Sequence, residues 1–273
     1  GVLGQELPPV SAHFTPLPTL LVISPRDRIE NVFSLSLIHG LDPARRNAIE
    51  EQIDQDFGVS SLITNIGGLA AYPSMLLESG WAPWIAEVTS HEWTHHYLTV
   101  RPLGWNYLAS GETRTINETV ASIVGKEVGR EVVARYYPEL LPPEPDPAPP
   151  QGEDADLEPE PEPEPPPFDF RAEMRETRIR EDELLAQGQI EEAEAYMEQR
   201  RQMFVDEGYY IRKLNQAYFA FHGSYADAPG AAGEDPIGPT VVALRQQSAD
   251  LYTFVRQVAR VTTLSELEAL LEQ

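Results

Sequence analysis

The chain has 273 residues, 44 Asp and Glu against 20 Lys and Arg, a formal charge of −24 and no cysteine. So acidic a balance argues against nucleic acid as a partner, because phosphate binding needs clustered Lys and Arg. The lack of thiols excludes disulfides, iron–sulfur clusters, Cys-ligated zinc and Cys nucleophiles.

In chain order, no apolar run approaches the ~20 residues of a membrane-spanning helix. A start at Gly1 rather than Met leaves room for a removed signal or anchor, which would place the protein outside the cytoplasm. Thr19 to Ile23 is β-branched and apolar, ends at Ser24-Pro25, and reads as a buried strand. Asp42-Pro43 supplies an N-cap and a first-turn proline for a helix to about Asp56. Ser61 to Tyr72 reads as a second strand with a turn at Gly67-Gly68. Helices are expected from Pro83 to about Val100 and from Thr115 to Tyr137.

From Glu139 to Asp169 there are 11 acids and no Lys or Arg, and 13 of the 25 prolines lie between Pro138 and Pro167. Such a segment buries too little apolar area to offset its chain entropy, so 138–168 reads as an extended or disordered acidic insertion. It would serve as a spacer or as a docking arm for a basic partner. Beyond it the pattern is helical. A charged hairpin spans Arg171 to Ala186 and Gln189 to Val205, then helices follow at Tyr209–His222, Thr240–Ala259 and Leu264–Leu271. The fold class is α+β, predominantly helical, with a small N-terminal sheet.

The chemistry resides in His91-Glu92-Trp93-Thr94-His95. On a helix, residues four apart lie one turn apart on the same side, so both imidazoles reach one metal ion, with Glu92 beside it as a base for bound water. A catalytic zinc takes three protein ligands and keeps one open position. Glu118 is the expected third ligand, with Glu112 as the competing carboxylate. On the Glu118 helix the small Ala121 and Gly125 share its side and let the two helices approach. Asn215, Tyr218, His222 and Tyr225 recur at helical spacing. Either His222 or Tyr225 is a candidate donor to an oxyanion, although such a stripe also suits plain core packing. His96, His13 and His39 read as structural.

These residues resemble the gluzincin metallopeptidases, and more closely a bacterial family of predicted zinc aminopeptidases. The likeness runs from His91-Glu92-x-x-His95 and Asn117-Glu118-Thr119-x-Ala121 to Thr177-Arg178-x-Arg180, Asn215-Gln216-Ala217 and Tyr225. It implies a zincin-like part at 1–137 carrying both ligand helices, and a helical part at 169–273 packed on the same site. It implies His91, His95 and Glu118 as zinc ligands and Glu92 as the base. Gln216 departs from that family's Asn-Asn-Ala, the insertion is peculiar to this chain, and no Gly-x-Met-x-Asn segment for a substrate amine occurs.

Two functions follow as expectations. One is a zinc-dependent peptidase acting on a peptide or protein substrate, of exo- or endo-type and including an aminopeptidase. The other is a non-catalytic helical binding or scaffold protein with a structural or vestigial metal site and an acidic docking arm.

Overall fold

The computed structural model describes residues 8–141 and 168–272, so the expected insertion lies outside the described residues except at its two ends. There, Pro138–Leu140 forms one turn of 3-10 helix, and Phe168 packs edge-on against Phe204 with ring centres 5.9 Å apart.

The fold is mixed α+β and mostly helical. Two three-stranded sheets stand where the sequence suggested one. Strand β2 (Thr19–Pro25) is the centre of the first, antiparallel to β3 (Phe33–Leu37) and to β4 (Val59–Asn65). Both faces of β2 are covered, which is why its sequence is a continuous apolar run rather than an alternating one. Leu21 and Ile63 pack with Ile49 and Ile53 of α1 (Pro43–Phe57), while Val22 and Leu62 pack against Ala217 on the other side. Asp42 caps α1 by accepting from the Arg45 N–H at 2.9 Å, and Gly58 ends it at φ 63°, a left-handed conformation that glycine adopts without steric cost.

The second sheet has the order β1-β6-β5, with β1 at Ala12–Phe14, β5 at Gly68–Leu69 and β6 at Ser74–Leu76. The expected strand at Ser61–Tyr72 is thus two strands in two sheets, with the chain turning at Ile66-Gly67. The outer edge of β5 faces a cleft.

Helices α2 (Ala82–Thr99) and α4 (Gly111–Tyr136) run antiparallel through the middle of the molecule, joined through the short α3 (Pro102–Trp105). Their close approach depends on two glycines. A Cβ on Gly125 would lie 2.9 Å from the Glu87 carbonyl oxygen and 3.2 Å from His91 Cβ, and one on Gly129 would lie 2.9 Å from Glu87 Cα. Helix α4 starts a turn earlier than Thr115, because the Ser110 hydroxyl caps it by accepting from the Thr113 N–H. Its other face, with Ile116, Val120 and Val124, joins the main core with Leu98, Leu103, Val241, Phe254 and Leu267.

Two helices expected downstream differ. The hairpin forms as α5 (Phe170–Ala186) and α6 (Ile190–Asp206). After it, Tyr209 to Asn215 is not helical, and α7 spans only Gln216–His222. Side chains hold this stretch against α1 and β4. Arg212 forms an ion pair with buried Glu50 at 2.5 Å and donates to the Ile63 carbonyl, and Lys213 pairs with Asp54 at 2.8 Å. Asn215 then caps α7. The expected helix at Thr240–Ala259 is two, α8 (Ile237–Gln247) and α9 (Leu251–Val258), because Asp250 caps a new start. Helix α10 (Leu264–Leu271) closes the chain as expected. Among the described residues no helix is long and apolar enough to cross a membrane.

Candidate metal centre

His91 and His95 lie one turn apart on α2, and α4 brings Glu118 to them. The two Nε2 atoms are 3.1 Å apart, and Glu118 Oε2 lies 3.4 Å from His91 Nε2 and 3.5 Å from His95 Nε2. A tetrahedral cation with bonds of about 2.0–2.1 Å needs ligand atoms about 3.3 Å apart. The three observed separations bracket that length. Glu118 Oε2 is buried and has no hydrogen-bond partner, so the polar atom aimed at this point lacks a proton donor. Residue types, spacing and this unsatisfied oxygen together fit a divalent cation such as zinc. Among the described residues no fourth His, Asp or Glu joins the cluster.

The surrounding groups fix the ligands' orientation. His95 Nδ1 lies 2.8 Å from Asn117 Oδ1, and the Asn117 amide donates to the Leu103 carbonyl, which identifies Oδ1 as the acceptor. His95 therefore carries its proton on Nδ1 and presents a free Nε2 lone pair to the metal position. The Tyr107 hydroxyl donates to Glu118 Oε1 at 2.5 Å and leaves Oε2 for the metal. Tyr225 stacks on His91 with ring centres 6.1 Å apart and planes 29° apart. It keeps 36% of its surface open, while its hydroxyl end is enclosed near Glu118, Tyr107 and Glu92.

Charge in this cluster is strongly perturbed. Burial alone would raise the Glu118 carboxyl, but His95 and His91 outweigh it and hold the group well below the usual range. Burial would lower His95, and the Glu118 carboxylate overcomes it, so that the imidazole is raised to about 9. Burial and then the Glu118 charge push Tyr107 and Tyr225 well above 10, keeping both hydroxyls as donors.

Glu92 is 6% exposed and lies on α2 between His91 and His95. Burial raises its carboxyl, opposed by His95 and His91. A Cβ on Gly68 would fall 2.2 Å from Glu92 Oε1, so the glycine in β5 is what admits this carboxylate between helix and strand.

The cluster lies in a cleft of about 660 Å³ between β5, α2, α3, α4 and the end of α7. That size suits a small-molecule or peptide segment. His91, Glu92, His95, Glu118 and Tyr225 all line it. His222 does not. Its ring packs on Tyr218 at 4.2 Å in a second cleft, with Arg46, Leu62 and Lys213. Helix α7 ends at His222 and Tyr225 lies in the turn beyond it, so helical spacing no longer relates the two. Glu112, the competing carboxylate, accepts from the Leu264 N–H at 2.5 Å and caps α10. His96 bonds the Ala71 carbonyl at 2.9 Å. In the hairpin, Arg178 pairs with Asp182 at 2.8 Å and donates to the Ala231 carbonyl, and Thr177 accepts from Arg200. Both lie apart from the cleft.

Tyr107 and Arg114 carry no motif that a sequence reading singles out, and Gly68 reads only as part of a turn. The usable signal is helical spacing: Arg114 precedes Glu118 by one turn on α4. No family model, curated protein or solved structure matches the chain.

Proposed function

We propose that the chain is a zinc-dependent hydrolase that cleaves peptide bonds, with the zincin-like arrangement of a His-Glu-x-x-His helix and a Glu-bearing return helix. The observation that carries this reading is the convergence of His91, His95 and Glu118 at tetrahedral spacing, with Glu92 alongside and the cleft open above. A bound zinc would polarise a substrate carbonyl and acidify water at the site. His91, His95 and Glu118 would hold the ion, and Asn117 and Tyr107 keep His95 and Glu118 oriented for it. Glu92, with its carboxyl raised by burial, accepts a proton from the attacking water and returns it to the departing amine. The Tyr225 hydroxyl, kept neutral, donates to the oxygen that gains negative charge.

Three features favour a peptide substrate and catalysis over a structural site. Strand β5 is the edge of its sheet and lines the cleft with Gly68 and Leu69, followed by Ala70, whose backbone makes no hydrogen bond among the described residues and lies open to an extended chain. A structural zinc fills its fourth position with a side chain, and none is present among the described residues. A structural site also has no use for a buried carboxylate beside the ligands.

The test is metal content and turnover on mixed peptides. Wild-type protein is expected to hold about one zinc and lose activity reversibly with a chelator. Glu92→Gln should retain the zinc and lose activity by roughly 10²–10⁴-fold, whereas His95→Ala should lose both. Stoichiometric zinc without turnover on any peptide, or an unchanged rate in Glu92→Gln, would overturn the reading.

A further inference from the structure

We infer that Arg114 is a substrate-binding residue that takes a carboxylate of the peptide. The inference rests on the peptidase reading above. Arg114 is the only Lys or Arg lining this cleft among the described residues. It is half-buried and stands one turn before Glu118 on α4, and helical neighbours at that spacing lie ~6 Å apart at Cβ. Its guanidinium carbon is 5.6 Å from the centre of the Tyr107 ring, whose hydroxyl reaches Glu118. Arg114 and Glu118 thus meet the same tyrosine, one at its ring and one at its hydroxyl.

The guanidinium is braced but not neutralised. One N–H donates to the Asn31 carbonyl in the β2–β3 loop at 3.0 Å, and Ser34 holds Asn31 in turn. Among the described residues no Asp or Glu forms an ion pair with Arg114, although the chain has 44 acids. An arginine has five donors, and among the described residues only the bond to Asn31 uses one of them, while Arg114 lines the cleft. The lining mixes apolar Leu20, Leu69, Trp105 and Leu108 with polar Asn31 and Ser34, and its acids, Glu92 and Glu118, belong to the metal cluster's side. A half-buried planar fork of donors without an ion-pair partner matches a carboxylate better than a neutral amide. An extended peptide advances ~3.3 Å per residue. A carboxylate on Arg114 therefore lies roughly one to three residues from the bond being cut. It belongs either to the chain's own C-terminus or to an Asp or Glu side chain.

The experiment uses fluorescently labelled tetrapeptide libraries, made with a C-terminal acid or amide and with Asp and Glu kept or replaced by Asn and Gln. Binding to zinc-loaded Glu92→Gln protein is read by anisotropy, and cleavage by the wild type is measured as kcat/KM. One acid form should bind about 10–100-fold more tightly than its amide form, the range of a charge-assisted pair. The arm that shows the preference tells C-terminal from side-chain recognition. Arg114→Gln should bring the ratio near one without weakening the amide forms, and Arg114→Lys should restore part of it. Equal binding of acid and amide forms by the parent overturns the inference whether or not the variants fold. So does a preference that survives Arg114→Gln, because the carboxylate would then be on the zinc. Cleavage of all libraries alike leaves the peptidase reading standing and Arg114 refuted. An Arg114-dependent binding preference without any cleavage refutes the peptidase reading instead.

Discussion

Glu118 and Glu181 are the same residue type, each buried in a helix, and they titrate in opposite directions. Glu118 faces two imidazoles across the α2–α4 contact and is held well below the usual carboxylate range despite its burial. Glu181, 0% exposed in α5, leaves both carboxyl oxygens without a hydrogen-bond partner. Burial, with Asp182 and Glu194 nearby, raises it well above that range, against the weaker pull of Arg178. Two histidines repeat the contrast. His95 beside Glu118 is raised to about 9, whereas burial alone lowers His222 to about 4. Desolvation acts on all four groups, and only a specific partner reverses it. Glu118 and His95 therefore keep their charge through each other, whereas Glu181 and His222 lose theirs to burial.

The largest effect that would sharpen this contrast is Glu118→Gln. Losing one of three ligands is expected to weaken zinc binding on the order of 10²–10³-fold, measured by competition with a chelator, while Glu181→Gln leaves it unchanged. Equal zinc affinity in Glu118→Gln would remove Glu118 from the site.

Next is Glu181→Met, which replaces a buried, unsatisfied carboxyl with an apolar chain of similar length. It should stabilise the fold by about 1–2 kcal/mol, measured as urea midpoint. The native group keeps its proton to higher pH than the unfolded chain does. Its contribution is therefore fully present at low pH and is lost as pH rises above the unfolded value near 4.5. The gain from Glu181→Met should be larger at pH 8 than at pH 5. A destabilised variant at both pH values would mean that Glu181 has a partner.

The smallest effect concerns His222. Below the unfolded value of 6.5 the unfolded chain binds a proton that the native ring refuses until about 4, so stability falls as pH drops through that window. At pH 5.5 the loss should be about 1 kcal/mol, allowing for partial solvent access, and His222→Phe should abolish that component. An unchanged pH dependence would show that His222 protonates freely.

Much of the site was legible in the sequence because helical periodicity is local. His91, Glu92 and His95 define their own geometry once α2 forms, and Gly125 announced a close helix contact. The third ligand needed an argument about coordination number, and Glu112 against Glu118 turned on which face of α4 looks at α2. Gly68 gave no local sign beyond a turn, because what it accommodates is a carboxylate 24 residues further on. The expected helix over Tyr209–His222 failed for a similar reason: Arg212 and Lys213 find acids on α1, and these long-range pairs outweigh a modest local helical preference. His222 and Tyr225 illustrate the limit, since periodicity put them on one stripe and α7 ends between them.

The sequence by itself determined the α+β composition, most helix ends and the paired imidazoles, because caps, prolines and i,i+4 spacing act within a few residues. Only the tertiary structure decided which carboxylate completes the cluster, which tyrosines surround it and that an unpaired arginine lines its cleft. Those outcomes depend on distances between segments far apart in the chain, and packing and desolvation set such distances.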